Sequence, residues 1–294
     1  MPPTEIIVVD DGSSDRSAEV ARSYGASVRV ITQPNAGAAV ARNTGIRAAT
    51  SDWIAFLDSD DVWAPDKLEL QANAAARFPS AGVIFCDTIV LHGDETVLAS
   101  RFGLGGLFGM EVESDGPFAR YDRGLFARML KQSRVITSAV MVRRDLSGLA
   151  FPEHIWGSED WALWLQLALR YEFASVNQIL VTMYQQGDNI SSRKAKLYRN
   201  DLSVLEDLLA DQPISADERA QVEFLLRQNR VGATYFSMLN GDSHELRELL
   251  KRVDVSDLGR ARYFAYRLIS WVPTRISRPL LACVRRQKLP ATAG

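Results

Sequence analysis

Two stretches decide the fold: Glu5-Ile6-Ile7-Val8-Val9-Asp10-Asp11-Gly12-Ser13-Ser14-Asp15 and Trp53-Ile54-Ala55-Phe56-Leu57-Asp58-Ser59-Asp60-Asp61. Each is a short apolar run, rich in β-branched or aromatic residues, that stops abruptly in acids; this reads as a strand feeding a polar loop. Ser14 or Asp15 suits the N-cap of a helix that reaches Tyr24-Gly25, with Gly25 past its end. Residues 28–31 read as a second strand, closed by Pro34-Asn35, and residues 36–49 as a helix. After the second acidic cluster, Pro65 suits the first position of a helix over 65–78, and 83–91 reads as a further strand.

Strands separated by helices predict an α/β fold with a mainly parallel central sheet flanked by helices. In such sheets ligands bind beyond the carboxyl ends of the strands. Both acidic clusters follow strands directly, so both are expected at that one edge. Residues 102–122 are Gly-rich and aromatic and read as a long loop. A strand is expected over 135–143, an apolar helix over 160–170 and a strand over 178–184. Three charged amphipathic helices follow over 197–209, 216–239 and 244–253. The expected domains are residues 1–195 and a helical C-terminal region, residues 196–294.

The chain has 294 residues, of which 47% are hydrophobic and 24% charged, a globular composition that excludes a disordered or collagen-like chain. The two cysteines, Cys86 and Cys283, form no CxxC pair, which argues against a structural zinc and for a reducing cytoplasmic setting. No basic leader opens the sequence, and no uncharged apolar run reaches the ~18 residues of a membrane span. The near-neutral total conceals an asymmetry. Residues 258–294 hold eight basic side chains and no acid, leaving 26 of the 34 basic residues against all 36 acids in the body.

Carboxylates at the ends of strands would repel a diphosphate unless a divalent cation lay between them. No G-x-G-x-x-G or P-loop pattern follows any strand, so a glycine-cradled phosphate is not expected. Asp58, Asp60 and Asp61 are hard oxygen donors of the kind that hold Mg²⁺ or Mn²⁺ together with substrate phosphate. The alternative is a solvated acidic loop that caps helices.

These residues carry a resemblance. The segment 5–15, Ala41-Arg42-Asn43-Thr44-Gly45-Ile46, Phe56-Leu57-Asp58-Ser59-Asp60-Asp61, Gly157-Ser158-Glu159-Asp160-Trp161 and Tyr184 to Ser191 together resemble family-two glycosyltransferases of the GT-A fold, over roughly residues 4–192. The resemblance implies that Asp11, with Asp10, meets the nucleotide base. It implies that Asp58 holds the ribose, and that Asp60 and Asp61 hold Mn²⁺ or Mg²⁺ on the diphosphate. Asp160 matches the general base that deprotonates the acceptor hydroxyl, with Glu159 as its near-equivalent, in an inverting displacement. Arg42 and Asn43 are candidates to orient the nucleotide; an alternative for Asn43 is a local hydrogen bond within its helix. The implied partners are a UDP- or GDP-type sugar donor and a glycan or lipid-linked acceptor of surface polysaccharide or lipopolysaccharide synthesis.

Some features depart from the family or admit other readings. Family members begin with one more strand and helix, so the sequence is expected to be N-terminally truncated or degenerate. The segment Tyr184 to Ser191 lacks the family's Arg and His. Trp161 and Trp164 read as core, with sugar stacking as the alternative. His92, His154 and His244 show no metal-ligand spacing and read as surface residues. Leu57-Asp58-Ser59-Asp60-Asp61-Val62 also resembles the nucleophile motif of haloacid-dehalogenase phosphohydrolases, and a non-catalytic sugar-nucleotide binder is a third reading. The basic, aromatic segment 258–289 reads as a peripheral contact to the inner face of an anionic membrane, or as a helix packed on the acidic body. Nucleic acid is not expected as a partner.

Overall fold

The computed structural model describes residues 2–93, 95–102, 110–131, 135–184 and 190–272, with the backbone alone over 190–197. The chain divides into two compact units, residues 1–187 and 188–294.

The first unit runs β1 (Ile7–Asp10), α1 (Ser17–Ser23), β2 (Arg29–Thr32), α2 (Ala38–Ala48), β3 (Trp53–Ala55), β4 (Asp61–Trp63) and α3 (Lys67–Arg77). It continues with β5 (Ala81–His92), β6 (Glu95–Leu98), β7 (Glu113–Asp115), β8 (Phe118–Tyr121), α4 (Gly124–Lys131), β9 (Val140–Arg143), α5 (Glu159–Ala168) and β10 (Glu172–Tyr184). Every apolar run marked in the sequence contributes a strand. Helix starts differ by a residue or two. Asp15 does not cap α1 as its N-cap; its Oδ1 accepts from the Ser17 N–H at 2.9 Å, and Arg16 holds the cap position. Pro65 precedes α3, whose N-cap is Asp66. The expected loop over 102–122 contains the antiparallel pair β7 and β8; residues 103–109 lie outside the described residues.

The sheet is mixed rather than mainly parallel. β1 pairs with β2 in a parallel two-stranded sheet, and eight strands form a second sheet with the order β3-β9-β5-β10-β8-β7, β4 pairing with β10 and β6 with β5. Within it only the β5–β10 ladder is parallel. The reason is β9, which enters between β3 and β5 and runs against both. β3, β5 and β10 therefore share one direction, and β9 brings its N-terminal end to the edge where their carboxyl ends lie. That edge includes the loop after β3.

β5 is buried along Ala81–Thr88 because both its faces are covered. Its side chains alternate: Ile84 and Cys86 pack with Ala74, Phe78, Met141 and Val181 beneath α3. On the other face the Phe85 ring meets Phe102 at 5.5 Å, Tyr121 at 5.7 Å and Phe173 at 6.3 Å between centroids. Trp161 and Trp164 of α5 are core residues, and the Trp161 indole N–H donates to the Met129 carbonyl at 2.8 Å. Lys67 is fully buried under the sheet. Its ammonium lies 4.0 Å from the Trp63 ring centroid and donates to Gln71 Oε1 at 2.7 Å.

The second unit consists of α6 (Ile190–Asp211), α7 (Ala216–Asn240), α8 (Ser243–Arg252), α9 (Val255–Leu258) and α10 (Arg260–Ser270). Ser215 and Glu218 form a capping box at the start of α7, and Asp242 accepts from the Glu245 N–H at the start of α8. Between them Gly241, at φ 68°, takes the left-handed conformation that ends α7. Leu239, Leu246, Leu250, Val253, Leu258 and Tyr266 form its core. Among the described residues no helix is long and apolar enough to cross a membrane.

Burial lowers the Lys67 pKa from 10.5 to about 8. The buried ammonium therefore costs stability in full below pH 8, and this cost fades as pH rises towards 10.5. Urea denaturation of native protein and Lys67→Met across this range should show the native protein gaining stability relative to the variant as pH rises.

Candidate active site

Asp11 follows β1, and its carboxylate is tied to the connection between β2 and α2. Oδ1 accepts from Gln33 Nε2 at 2.8 Å and the Ala36 N–H at 3.0 Å, and Oδ2 from the Gly37 N–H at 2.7 Å. Burial alone would raise its pKa, but the donors from Gln33, Ala36 and Gly37 outweigh it and hold the group below its ordinary value. The close approach requires a glycine next door: at Gly12, φ +75°, a Cβ would lie 2.8 Å from the Asn35 nitrogen. Asp10 is buried and accepts from the Ser13 N–H at 3.1 Å.

The second cluster lies between β3 and β4. Arg42, on α2, reaches two segments that are far apart in sequence. Its Nη2 donates to Asp58 Oδ1 at 2.7 Å and its Nη1 to Glu159 Oε1 at 2.9 Å. The guanidinium also sits 5.3 Å from the Phe151 ring centroid. Glu159 turns back to accept from the Gly157 N–H at 2.6 Å, and Asp160 accepts from the Trp161 N–H at 2.7 Å in the first turn of α5. These carboxylates occupy the N-terminal end of α5, where peptide dipoles favour negative charge. The fold thus brings Asp58, Arg42, Glu159 and Asp160 together. Within this group Arg42 pairs with carboxylates.

Asn43 does something else. Its amide donates to the Phe151 carbonyl at 2.9 Å and Glu153 Oε1 at 3.0 Å, and its Oδ1 accepts from the Phe151 N–H at 2.8 Å. The residue is buried and its hydrogen-bonding groups are occupied, so it clamps the segment ahead of α5 instead of presenting a free amide to a ligand or bonding locally in α2.

The electrostatics separate the acids. Asp160 is pushed up to about 6, first by burial and then by the Glu159 charge, against the opposing pull of the Trp161 N–H and Arg42. Asp61 is raised by burial and by the charges of Asp58 and Asp60, against a hydrogen bond from Ser138. Asp60 is exposed. Among the described residues no three His, Cys, Asp or Glu side chains form a ready-made cation cage. The donor set nonetheless fits a cation that takes one or two carboxylates here and its other oxygens from a diphosphate: Asp58 is neutralised by Arg42, while Asp61 is crowded by like charge.

Thr137, Ser138 and Trp156 were not marked in the sequence. Thr137 and Ser138 are buried in the 3-10 turn ahead of β9. Trp156 is 62% exposed with its ring edge against Gly37; an isolated aromatic in a loop gives no periodic signal. His154 and His92 join no cluster of metal-ligating side chains among the described residues. Residues 185–189, within the segment that departs from the family, lie outside the described residues. The helical unit carries a cavity of about 400 Å³ lined by Arg227, Arg230, Lys251, Arg252, Glu223 and Asp254 among others. Glu206 pairs with both Arg230 and Arg252, and Glu248 with Lys251, so three of these cations are already opposed.

Arg42→Met leaves Asp58, Glu159 and Asp160 crowded without their cation. At pH 8 this should cost about 1–3 kcal/mol of stability, and less at pH 5.5, where Asp160 accepts a proton. Chemical denaturation at the two pH values checks both the size and the trend.

Comparison with known proteins places these motifs. The family model of glycosyl transferase family 2 matches residues 1–147, half of the chain. The chain is 26% identical over 233 residues to the Escherichia coli UDP-Glc:alpha-D-GlcNAc-diphosphoundecaprenol beta-1,3-glucosyltransferase WfgD, covering 78% of this chain and 81% of that protein. It is 30% identical over 200 residues to the putative teichuronic acid biosynthesis glycosyltransferase TuaG of Bacillus subtilis, covering 66% of this chain and 73% of that protein. The match to the E. coli glycosyltransferase YibD, 48% identical, spans 68 residues, about a fifth of each chain. In fold, the S. aureus TarS 1-349 structure in complex with UDP-GlcNAc superposes with a TM-score of 0.58 at 15% identity, covering 97% of this chain and 83% of that one. Its fold is GT-A. With half of its length matched by the family model, the chain belongs to glycosyl transferase family 2.

Proposed function

We propose that this protein is an inverting glycosyltransferase that moves a sugar from a nucleoside diphosphate to an acceptor hydroxyl, with Asp160 as general base. The observation that carries this reading is the Arg42 bridge. It joins the loop of Asp58, at 2.7 Å, to the α5 end of Glu159, at 2.9 Å, beside a carboxyl whose pKa is raised to about 6. A base of that strength is ionised at neutral pH and holds a proton better than an ordinary aspartate. Glu159 supports it: its charge strengthens Asp160 as a base, while Arg42 keeps the pair from excessive repulsion.

Asp10 and Asp11 face the nucleoside in this reading, Asp58 the ribose, and Asp60 and Asp61 the diphosphate. A bound Mn²⁺ or Mg²⁺ would neutralise charge on the leaving diphosphate. Asp11 acts through its grip on Gln33, Ala36 and Gly37 as much as through its own oxygens. The phosphohydrolase reading gains nothing from the geometry, since Asp58, its nucleophile, is held by Arg42.

The donor class in this reading is a UDP- or GDP-sugar, supported by the UDP-Glc in the name of WfgD and the UDP-GlcNAc in the TarS complex. The acceptor is a lipid-linked glycan of surface polysaccharide synthesis, supported by the diphosphoundecaprenol in the name of WfgD and the teichuronic acid in that of TuaG. Docking at an anionic membrane face fits α10. Phe264, Leu268 and Trp271 are all more than half exposed and recur at helical spacing, among the exposed Arg260, Arg262 and Arg267. The remaining five cations of the basic tail lie outside the described residues.

Asp160→Asn should lower transfer and donor hydrolysis by about 10²–10⁴-fold with donor binding retained; full activity in that variant rules out the assignment. In the native enzyme kcat/KM should rise about tenfold per pH unit up to about 6 and level off above it, because the protonated carboxyl cannot act as base. The full chain should cosediment with phosphatidylglycerol vesicles and not with phosphatidylcholine vesicles, and Leu268→Ser with Trp271→Ser should weaken that binding.

A further inference from the structure

The 3-10 turn Thr137–Ala139 lies ahead of β9 and is buried throughout. Short Ser and Thr side chains in such turns usually satisfy themselves on nearby backbone. Here both reach outward to acids on other elements. Ser138 Oγ accepts from the Asp58 N–H at 3.0 Å, and its hydroxyl bonds to the Asp61 carboxylate. Thr137 Oγ1 donates to Asp160 Oδ2 at a longer 3.4 Å.

The turn is held from beneath. The Ser138 carbonyl accepts from the Trp63 indole N–H at 2.8 Å, and the Ala139 carbonyl from Gln71 Nε2 at 2.9 Å. Gln71 in turn accepts from the buried Lys67 ammonium, which also lies over the Trp63 ring. Lys67, Gln71 and Trp63 thus support the backbone of the turn and leave its two hydroxyls for the acids. Trp63 ends β4 and Asp61 begins it, so the same short strand is fixed at both ends.

We propose that Thr137 and Ser138 are positioning residues, Ser138 for the donor-binding loop Asp58–Asp61 and Thr137 for the Asp160 carboxylate, holding donor and acceptor chemistry at one spacing. This inference rests on the roles given to those acids above. It assigns two separable effects to adjacent residues. The Ser138 hydroxyl bonds to the acidic loop, so its loss falls on donor binding. Thr137 touches Asp160, so its loss falls on turnover, where a displacement of the order of 1 Å is worth up to about 10²-fold.

The test measures nucleoside diphosphate release from UDP-glucose, UDP-N-acetylglucosamine and GDP-mannose in Mn²⁺ buffer, with calorimetric titration of each donor. Thr137→Val should lower kcat about tenfold or more with the donor Kd unchanged, and Thr137→Ser should restore it. Ser138→Ala should weaken donor binding about tenfold with a smaller effect on kcat, the size expected for one hydrogen bond to a charged group. Urea denaturation confirms that each variant is folded. If Asp160→Asn abolishes turnover while Thr137→Val keeps native kcat, or Ser138→Ala keeps native Kd, the positioning roles fall and the functional reading stands. Parallel losses in kcat and Kd that follow stability in both variants also overturn the inference. If Asp160→Asn is fully active, or none of the three donors binds, the functional reading fails and takes this inference with it.

Discussion

The candidate site depends on one cation. Arg42 lies on a helix that packs on the small β1–β2 sheet, yet its guanidinium ends between an acid from the large sheet and an acid from α5. Without it, Asp58, Glu159 and Asp160 would gather three negative charges in a partly buried space, and folding would have to protonate or separate them. Arg suits this place better than Lys, since its planar fork can serve two carboxylates from one side chain. The motif around Arg42 and Asn43 is therefore as much a structural joint as a ligand-facing surface. Arg42 joins the two acidic segments, and Asn43, one residue on, clamps the chain at Phe151 and Glu153 ahead of α5.

A second constraint acts through direction. A strand that enters a sheet against its neighbours delivers the residues before it, not after it, to the functional edge. β9 does this between β3 and β5, so its leading turn meets the acidic loop from below. Local sequence carries no trace of that orientation, because parallel and antiparallel neighbours draw on the same apolar residues. This is why the sequence offered Asp58 and Asp160 as candidates and did not offer Thr137 and Ser138. The acids sit in an order and spacing that mark them; the hydroxyls are two ordinary residues at a strand entrance.

The same contrast runs through the fold. The strands announced themselves as short apolar runs, and β5 did so most clearly because helices or loops cover both of its faces. Pairing direction was not legible, and a sheet expected to be mainly parallel is mixed. The hairpin β7–β8 was missed because Gly-rich and aromatic residues around it masked two strands of three and four residues. Trp161 and Trp164 were legible as core, since helical spacing beside Leu165 and Ala168 leaves them facing inward. Asn43 was misplaced for a different reason: its partners lie over a hundred residues away, beyond any local rule.

Two carboxylates illustrate how one fold holds opposite environments. Asp11 is surrounded by donors: a side-chain amide and two backbone N–H groups stabilise its charge and lower its pKa. Asp160 receives one backbone N–H, a long bond from Thr137, and the charge of Glu159 beside it, so burial dominates and its pKa rises. Residue type does not distinguish them; the count of donors against the degree of crowding does. A group meant to remain an anion wants the first environment, and a group meant to take up a proton at neutral pH wants the second. The stability given up by crowding Asp160 is offset next door, where Arg42 neutralises Asp58 and Glu159, so the basicity of one acid depends on the pairing of its neighbours.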